Sequence, residues 1–470
     1  MRIVLVQPQI HKGYRLNITL EPISVACLKS ACLKAGFNET KLLLASDENP
    51  EVTAGRIANL KPDLVGISAM TFTYPLARQI AKRVKETTKA VTVLGGYHAS
   101  MIPEQVISEG DFDYLVHGMG EVSFPMLVGA LAGGPPSFAT LSTIPGLVWK
   151  ENGGLQINPP YFSENLDEFP FPDRSDYDLR SFREHCAEAW KKPRAIVIGS
   201  RGCPFSCFFC CSAKAFGKKH MKRSPTNLAE ELYELRQKYN VNHFYFGDEN
   251  LFLDREWFYS CAESWMSRVP DIRWFGFGML RIMDDELIRS VAKSGAFRLG
   301  FGVERFDMAD KMPDKLKSLE HAEYVIRTLR VNGVFSTIHF IIGFPDDSVE
   351  KLQKEWRKLR TFTADYLGLP LATPYPGTVF RKELEEKGME MSRDWSRYDM
   401  DTPTIKLDQM RTEDLETIQS WLLKKYHFRW AYIKVVLWRI KEKPSRLITY
   451  FLLFAISVIH GHFRSRKWNE

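Results

Sequence analysis

Cysteine is scarce in this chain, 8 residues in 470, and no secretory signal stands ahead of them. So sparse a set excludes a disulfide framework and suits a reducing compartment. Long apolar runs are missing too: residues 447–459 form a mainly apolar stretch that falls short of the roughly 20 residues a membrane-spanning helix needs. No N-terminal targeting segment is expected, because the apolar run at residues 1–6 is short and leads directly to Pro8. No Gly-x-Gly-x-x-Gly follows that run, which disfavours a dinucleotide ligand. Internal repeats, low-complexity tracts and recognised nucleic-acid-binding motifs are absent as well. What remains is an ordinary 44% apolar composition, over a length that suits two or three domains.

Three of the few cysteines are crowded into one loop, Cys203, Cys207 and Cys210 in Arg-Gly-Cys-Pro-Phe-Ser-Cys-Phe-Phe-Cys. A strand-like apolar run at residues 195–198 leads into it. Three thiolates spaced C-x-x-x-C-x-x-C can hold three irons of a cubane cluster and leave the fourth iron open to a small ligand. The alternative is a structural zinc site, which normally wants four ligands; His220 is the candidate fourth. Cys211 follows Cys210 directly, would point away from a metal held by it, and is read as a packed thiol. Cys27, Cys32, Cys186 and Cys261 are read as core residues.

Between residues 193 and 375 short apolar runs alternate with helical stretches at 228–239, 255–269, 284–293, 319–331 and 349–361. This alternation predicts parallel strands with crossover helices and a site at the carboxyl ends of the strands. Gly247-Asp248-Glu249-Asn250, Arg281, Glu304 and Gly343 all follow apolar runs, where ligand contacts belong; turn and helix-cap chemistry is the plainer account of the same residues.

The cysteine loop resembles the cluster loop of radical S-adenosylmethionine (SAM) enzymes. Three segments agree with it: the strand ending at Gly247-Asp248-Glu249-Asn250, the run 299–304 ending in Glu304-Arg305 where Glu-Ser is more usual, and His339-Phe340-Ile341-Ile342-Gly343-Phe344-Pro345. The resemblance implies a 4Fe-4S cluster on Cys203, Cys207 and Cys210, with SAM contacts at Phe209, Asp248, Glu249, Arg281, Glu304 and Gly343.

The first 145 residues show another alternation, with strand-like runs at 3–6, 65–68, 91–94 and 114–116 and helical stretches at 22–35, 74–87 and 122–132. This predicts a doubly wound sheet with a ligand at the strand carboxyl ends. Gly95-Gly96-Tyr97-His98 and Gly118-Met119-Gly120-Glu121 sit at two of those ends, where glycines let a broad, flat ligand approach the backbone. These segments resemble the cobalamin-binding domain that precedes the radical SAM core in one large subfamily. The implied cobalamin contacts are Pro8, Ser68, Thr71, Gly95, Gly96, His98, Gly118, Gly120 and Glu121. The D-x-H-x-x-G motif that supplies a lower cobalt ligand in other cobalamin domains is absent, so His98 is expected to touch the cofactor without ligating cobalt.

Residues 146–192, with Pro159-Pro160 and Phe169-Pro170-Phe171-Pro172-Asp173-Arg174, are read as an extended strap between the domains. Residues 411–470 carry 12 Lys or Arg against 5 Asp or Glu, a surplus of 7 that equals the formal net charge of the whole chain. Aromatic and aliphatic residues interleave with these basic ones. The pattern fits a helix lying at a membrane surface, a cover over the barrel mouth, or a helical cap with solvated lysines, and disfavours nucleic acid.

The expected organisation is α/β: a Rossmann-like cobalamin-binding domain at 1–145, the strap at 146–192, a radical SAM partial (β/α)6 barrel at 193–390 and a basic, aromatic helical region at 391–470. By resemblance the activity is C-methylation of an unactivated carbon in a hydrophobic substrate, a lipid or a tetrapyrrole, with SAM used both as methyl source and as radical source. Oxidative cyclisation or hydroxylation, as in anaerobic magnesium-protoporphyrin monomethyl ester cyclases, is the alternative; a non-catalytic, metal-stabilised binding protein is a third. An electron donor such as flavodoxin or ferredoxin and a cytoplasmic location, with peripheral membrane contact through the tail, are also implied.

Overall fold

The computed structural model describes residues 1–9, 21–46, 49–182, 193–312 and 315–442. The apolar run at 447–459 and Cys186 lie outside the described residues.

Two parallel sheets organise the chain. The first has seven strands, β1 (Ile3–Gln9), β2 (Thr40–Ser46), β3 (Leu64–Ser68), β4 (Val91–Gly95), β5 (Tyr114–Val116), β6 (Leu147–Glu151) and β7 (Gly154–Ile157), in the order β2-β1-β3-β4-β5-β6-β7. β1 to β5 are parallel, and helices Ile23–Lys34 and Tyr74–Thr87 are among those that cover the sheet. β3 is buried along its whole length, as a strand covered on both faces must be. The order reverses between β1 and β3, and in such sheets the crevice beyond that switch point is where ligands bind.

Two strand readings change. β2 had no sequence counterpart, although Lys41-Leu42-Leu43-Leu44-Ala45 pairs with β1 along its length. Residues 147–157, assigned by composition to the strap, instead form the antiparallel hairpin β6–β7 that extends the first sheet. Its turn is Asn152-Gly153, both at positive φ (49° and 78°), the geometry that matches the twist of paired strands.

The second sheet has six parallel strands, β8 (Arg194–Val197), β11 (His243–Phe246), β12 (Arg273–Gly278), β13 (Ala296–Glu304), β14 (Phe335–Phe340) and β15 (Tyr366–Gly368), in sequential order with β8 and β15 at the open edges. It is an open, partial barrel. A small ribbon, β9 (Ser200–Arg201) against β10 (Met221–Lys222), brackets the loop that carries the cysteines. Phe246, Trp265, Trp274 and Phe258 form the aromatic heart of the core between this sheet and its helices.

The C-terminal helices close over the barrel's β15 side. Helix Thr412–His427 begins at the turn after β14, where Leu415 lies against Gly343. Helix Trp430–Glu442 is anchored by Arg439, whose guanidinium makes a buried two-point pair with Asp365 at 2.8 and 3.0 Å. Among the described residues no helix is long and apolar enough to cross a membrane.

Candidate functional site

A cavity of about 420 Å³ opens between the two sheets. The first domain contributes the ends of its strands: Pro8 after β1, Ser68, Ala69 and Met70 after β3, Gly95, Gly96 and Tyr97 after β4, and Gly118, Gly120 and Glu121 after β5. The barrel contributes Ile196, Ile198, Arg201, Tyr245, Gly247 and Glu249. One space is thus walled by the switch-point crevice of the first sheet and by the first two strands of the second.

The glycines act differently from expectation. Gly96 has φ +95°, and a side chain there would strike the Ala69 carbonyl oxygen at 2.7 Å, so its lack of Cβ lets the β3 and β4 loops pack backbone to backbone. Neighbours likewise fill the space beside Gly118 and Gly120 (Pro160 and Leu28, 2.8 and 2.9 Å). Gly95, with only the Val116 carbonyl at 3.4 Å, is the one of the four whose backbone lies open to a ligand.

His98 and Thr71 do not line the cavity, which corrects the expectation that they contact cobalamin. The fully buried imidazole stacks on Tyr74 at 4.0 Å, meets Trp395 edge-on at 5.1 Å and lies 3.3 Å from the Thr71 hydroxyl through Nδ1. Burial pushes its pKa down to about 3, so it is a neutral core histidine. It faces inward because Gly96 starts a short helix, Tyr97–Met101, that turns Tyr97 to the cavity and its neighbour to the core.

The cysteine loop is held at both ends. Gly202 has φ +88° and sits so close to the Lys219 carbonyl that a Cβ would lie 2.1 Å from it. The Cys203 amide donates to the Gly217 carbonyl (3.2 Å) and the Cys210 amide to the Cys207 carbonyl (3.0 Å). Cys203 and Cys207 are half-buried and Cys210 is exposed, all with free thiols. Burial raises the Cys203 and Cys207 thiols above their ordinary range, and each of the three lies close enough to influence the others. Among the described residues no three His, Cys, Asp or Glu side chains converge on a point that could hold a single metal ion. A cubane does not need that, since each thiolate binds a different iron. Cys211 is packed, its thiol pushed up to about 12 by burial. His220 packs edge-on against Trp257 at 6.0 Å. The donor set fits a three-thiolate cluster.

Arg201 ties this loop to the first domain. Its guanidinium donates to Glu121 at 2.6 Å inside the cavity wall. Burial works against the Glu121 carboxylate, but the guanidinium outweighs it and holds the group below its usual range.

At the end of β11 two acids divide. Asp248 accepts from the Ser200 hydroxyl (2.6 Å) and the Gly199 amide (3.1 Å) and does not line the cavity; burial raises it to about 6. Its two oxygens fasten β11 to the connection between β8 and β9, a structural role where a SAM contact was expected. Glu249 faces the cavity, and burial raises it to about 7.

The remaining SAM candidates surround the barrel's upper rim. Phe209 meets Phe208 edge-on at 5.4 Å. Glu304 ends β13 at φ +61°, beside a register shift, and its carboxylate pairs with Lys315 at 2.9 Å. A Cβ on Gly302 would collide with that carboxylate at 2.0 Å, so Gly302 makes the room for it. Gly343, at φ +88°, is held by Asp347, which accepts from the Gly343 and Phe344 amides and is itself paired with buried Arg305. Arg281 lies in the exposed turn Leu280–Ile282 after β12 and does not reach the cavity.

Lys315 is a functional candidate that sequence reasoning missed. It lies over the Phe209 ring at 5.9 Å and near Cys207 and Cys210; burial works against its ammonium, but Glu304 and the thiols hold its pKa above the ordinary value. It sits in a polar stretch between elements, where no local pattern marks it.

A doubly wound domain whose switch-point crevice opens onto a partial barrel, with a three-thiol loop at the junction, defines an enzyme built for two cofactors. Residues 16–128 match the B12 binding domain family and residues 197–357 the Radical SAM superfamily. The chain is 29% identical over 430 residues to an uncharacterized methyltransferase of Pyrococcus horikoshii, covering 89% of this chain and 90% of that protein. It is 27% identical over 463 residues to the anaerobic magnesium-protoporphyrin IX monomethyl ester cyclase of Rubrivivax gelatinosus, covering 95% and 81%. The fold is shared with the radical SAM methyltransferase TsrM from Kitasatospora setae, solved with cobalamin and a 4Fe-4S cluster (TM-score 0.69, 17% identity, 82% of this chain and 78% of that one). It is shared also with the cobalamin-dependent radical SAM enzyme OxsB (TM-score 0.68, 16% identity, 96% and 72%).

The chain belongs to the cobalamin-binding radical SAM superfamily. It is an enzyme, and its cofactors are a 4Fe-4S cluster, SAM and cobalamin.

Proposed function

We propose that the enzyme methylates a carbon atom of a hydrophobic substrate, a lipid or a tetrapyrrole. The observation that carries the reading is the single cavity walled by Gly95 on the cobalamin side and by Arg201, Tyr245 and Glu249 on the barrel side. Sharing one space removes the need for the substrate to travel between a radical-generating centre and a methyl donor. When bound, the cluster and SAM supply a hydrogen-abstracting carbon radical, and cobalamin supplies a methyl group.

The chain's own residues hold and orient. Cys203, Cys207 and Cys210 hold the cluster, and Cys211 remains in the core. Gly95, with Pro8 and Ser68 beside it, forms the floor for the corrin, and Glu121 fixes Arg201 so that floor and cluster loop keep one spacing. Glu249 offers a carboxylate to the SAM ammonium. Lys315, held in place by Glu304, offers a cation beside Cys207 and Cys210 to the SAM carboxylate, and Phe209 and Gly343 border the same rim. A low-potential donor such as flavodoxin or ferredoxin supplies the electron.

The test is anaerobic incubation of reconstituted enzyme with methyl-labelled SAM, strong reductant and a panel of lipids and tetrapyrroles. Label in the product, together with 5'-deoxyadenosine, is expected. An unlabelled product lighter by two hydrogens overturns methylation in favour of oxidative cyclisation, the reaction named for the Rubrivivax relative.

A further inference from the structure

A helix on a protein surface normally turns its apolar stripe inward and leaves a polar face to water. Helix Trp430–Glu442 does both halves of this in an unusual way. Its inward residues Tyr432, Val435 and Arg439 are buried: the Tyr432 hydroxyl donates to the Asp365 carbonyl at 2.9 Å, and Arg439 pairs with the Asp365 carboxylate and donates to the Val334 carbonyl. These contacts fix which side faces out. The outward stripe is Trp430, Lys434, Leu437, Trp438 and Lys441, at spacings of 4, 7, 8 and 11 residues from the first, a wedge about 100° wide. Trp430 is 66% exposed, Leu437 57% and Trp438 36%. No acid lies on the stripe; Glu442 is exposed just beyond it.

We infer that this face docks the enzyme on an anionic lipid surface. Tryptophan, leucine and lysine on one face form the composition of a helix lying in a bilayer interface: the rings and the aliphatic chain enter the headgroup boundary, and the lysine stems extend their charges to lipid phosphates. The charge is complementary to an anionic leaflet and to little else on this molecule. The sequence that follows continues the same chemistry, with Lys443, Arg446, the apolar run 447–459 and Arg464, Arg466 and Lys467. Geometry permits docking without blocking the site. Arg439 contacts Val334 and Asp365, which precede β14 and β15, so the helix lies at the amino ends of the strands and the cavity at the carboxyl ends.

The test is co-sedimentation of the full-length, cluster-loaded enzyme with vesicles of phosphatidylcholine alone or mixed in equal parts with phosphatidylglycerol. Binding about tenfold or more stronger to the mixed vesicles, weakened by salt, is expected. Trp430→Gln, Leu437→Gln and Trp438→Gln together should cut binding at least tenfold, and Lys434→Gln with Lys441→Gln should erase the preference for anionic lipid. All five side chains are exposed and distant from the cavity, so 5'-deoxyadenosine formation should be unchanged and reports that the variants are folded. Absence of binding to either vesicle, or equal binding by the triple variant, overturns the proposal. So does a dimer in solution that the triple variant loses without any vesicle binding, which would make a second copy of the chain the occupant.

Discussion

Replacing Glu249 by Gln should raise the stability of the cluster-free protein at neutral pH and flatten its dependence on pH. An unfolded Glu titrates near 4.5, and burial in the cavity wall raises Glu249 to about 7. Below pH 4.5 both folded and unfolded chains carry the proton. As pH climbs from 4.5 to 7 the unfolded chain loses it first, so the folded state becomes progressively less favoured, and above 7 the loss is complete. A shift of that size corresponds to about 3 kcal/mol, and solvent reaching the cavity reduces it to about 2 kcal/mol. Gln keeps the shape and removes the titration. Asp248 shifts in the same direction through its own burial, so both proteins retain that smaller slope.

Urea unfolding followed by tryptophan fluorescence, across the interval from acid to mildly alkaline pH, measures the effect. The wild-type midpoint should fall with rising pH more steeply than that of Glu249→Gln, and the variant should be the more stable protein by about 2 kcal/mol above neutrality. Parallel profiles would refute the reasoning, because they would mean the carboxylate is solvated in the cavity and already ionised at its ordinary pH. The same variant should bind SAM more weakly, since the group that destabilises the empty protein is the one offered to the ligand's ammonium.

Three further changes have definite outcomes. Ala at Cys203, Cys207 or Cys210 should abolish bound iron and visible absorption after reconstitution, while Cys211→Ala leaves both largely intact; the reverse for Cys210 and Cys211 would show the register to be wrong. Gly96→Ala places a Cβ 2.7 Å from the Ala69 carbonyl at a positive φ, and should cost about 1–3 kcal/mol and weaken cobalamin binding in a spectroscopic titration. Arg174→Met removes one buried partner from Glu21 and Glu231; a loss of about 3 kcal/mol in thermal or urea unfolding is expected, at the low end for a broken buried pair because Arg223 still serves Glu231 and Tyr177 still serves Glu21.

The cysteine loop was legible because everything that defines it is local: three spacings, a preceding strand and Gly202. The two sheets were legible because buried parallel strands are continuous apolar runs, a signal that survives without tertiary information. β6–β7 carried its own mark, the Asn152-Gly153 dipeptide between two runs of strand length, and proline content nearby obscured it. His98 and Asp248 were beyond reach for a different reason. Each stands at a strand end next to a residue that does line the cavity, Tyr97 and Glu249, and which of the two turns inward is set by distant partners, Trp395 in one case and Ser200 in the other. Lys315 has the same origin: its place beside Cys207 follows from a pair with Glu304 and from the gap at Gly302, neither of which has a sequence period.

The spacing of the two cofactor sites rests on how the open barrel is finished. β8 is an edge strand, and an edge presents backbone groups that need partners. At Ile196, which also lines the cavity, the outward amide donates to Glu21 at 2.5 Å and the outward carbonyl accepts from Arg174 at 2.7 Å. Glu21 belongs to the first domain, just before helix Ile23–Lys34, and Arg174 to the strap; they pair with each other at 2.6 Å, and Arg174 also pairs with Glu231 on the barrel helix Pro225–Tyr239. A water molecule or an apolar side chain at either position would leave a charge or an amide unsatisfied in the interior, so the domains can separate only by exposing the network as a whole. The barrel's exposed edge is therefore the hinge point at which the cobalamin domain is locked to it, and the strap's Pro-Asp-Arg supplies the cation that makes the lock.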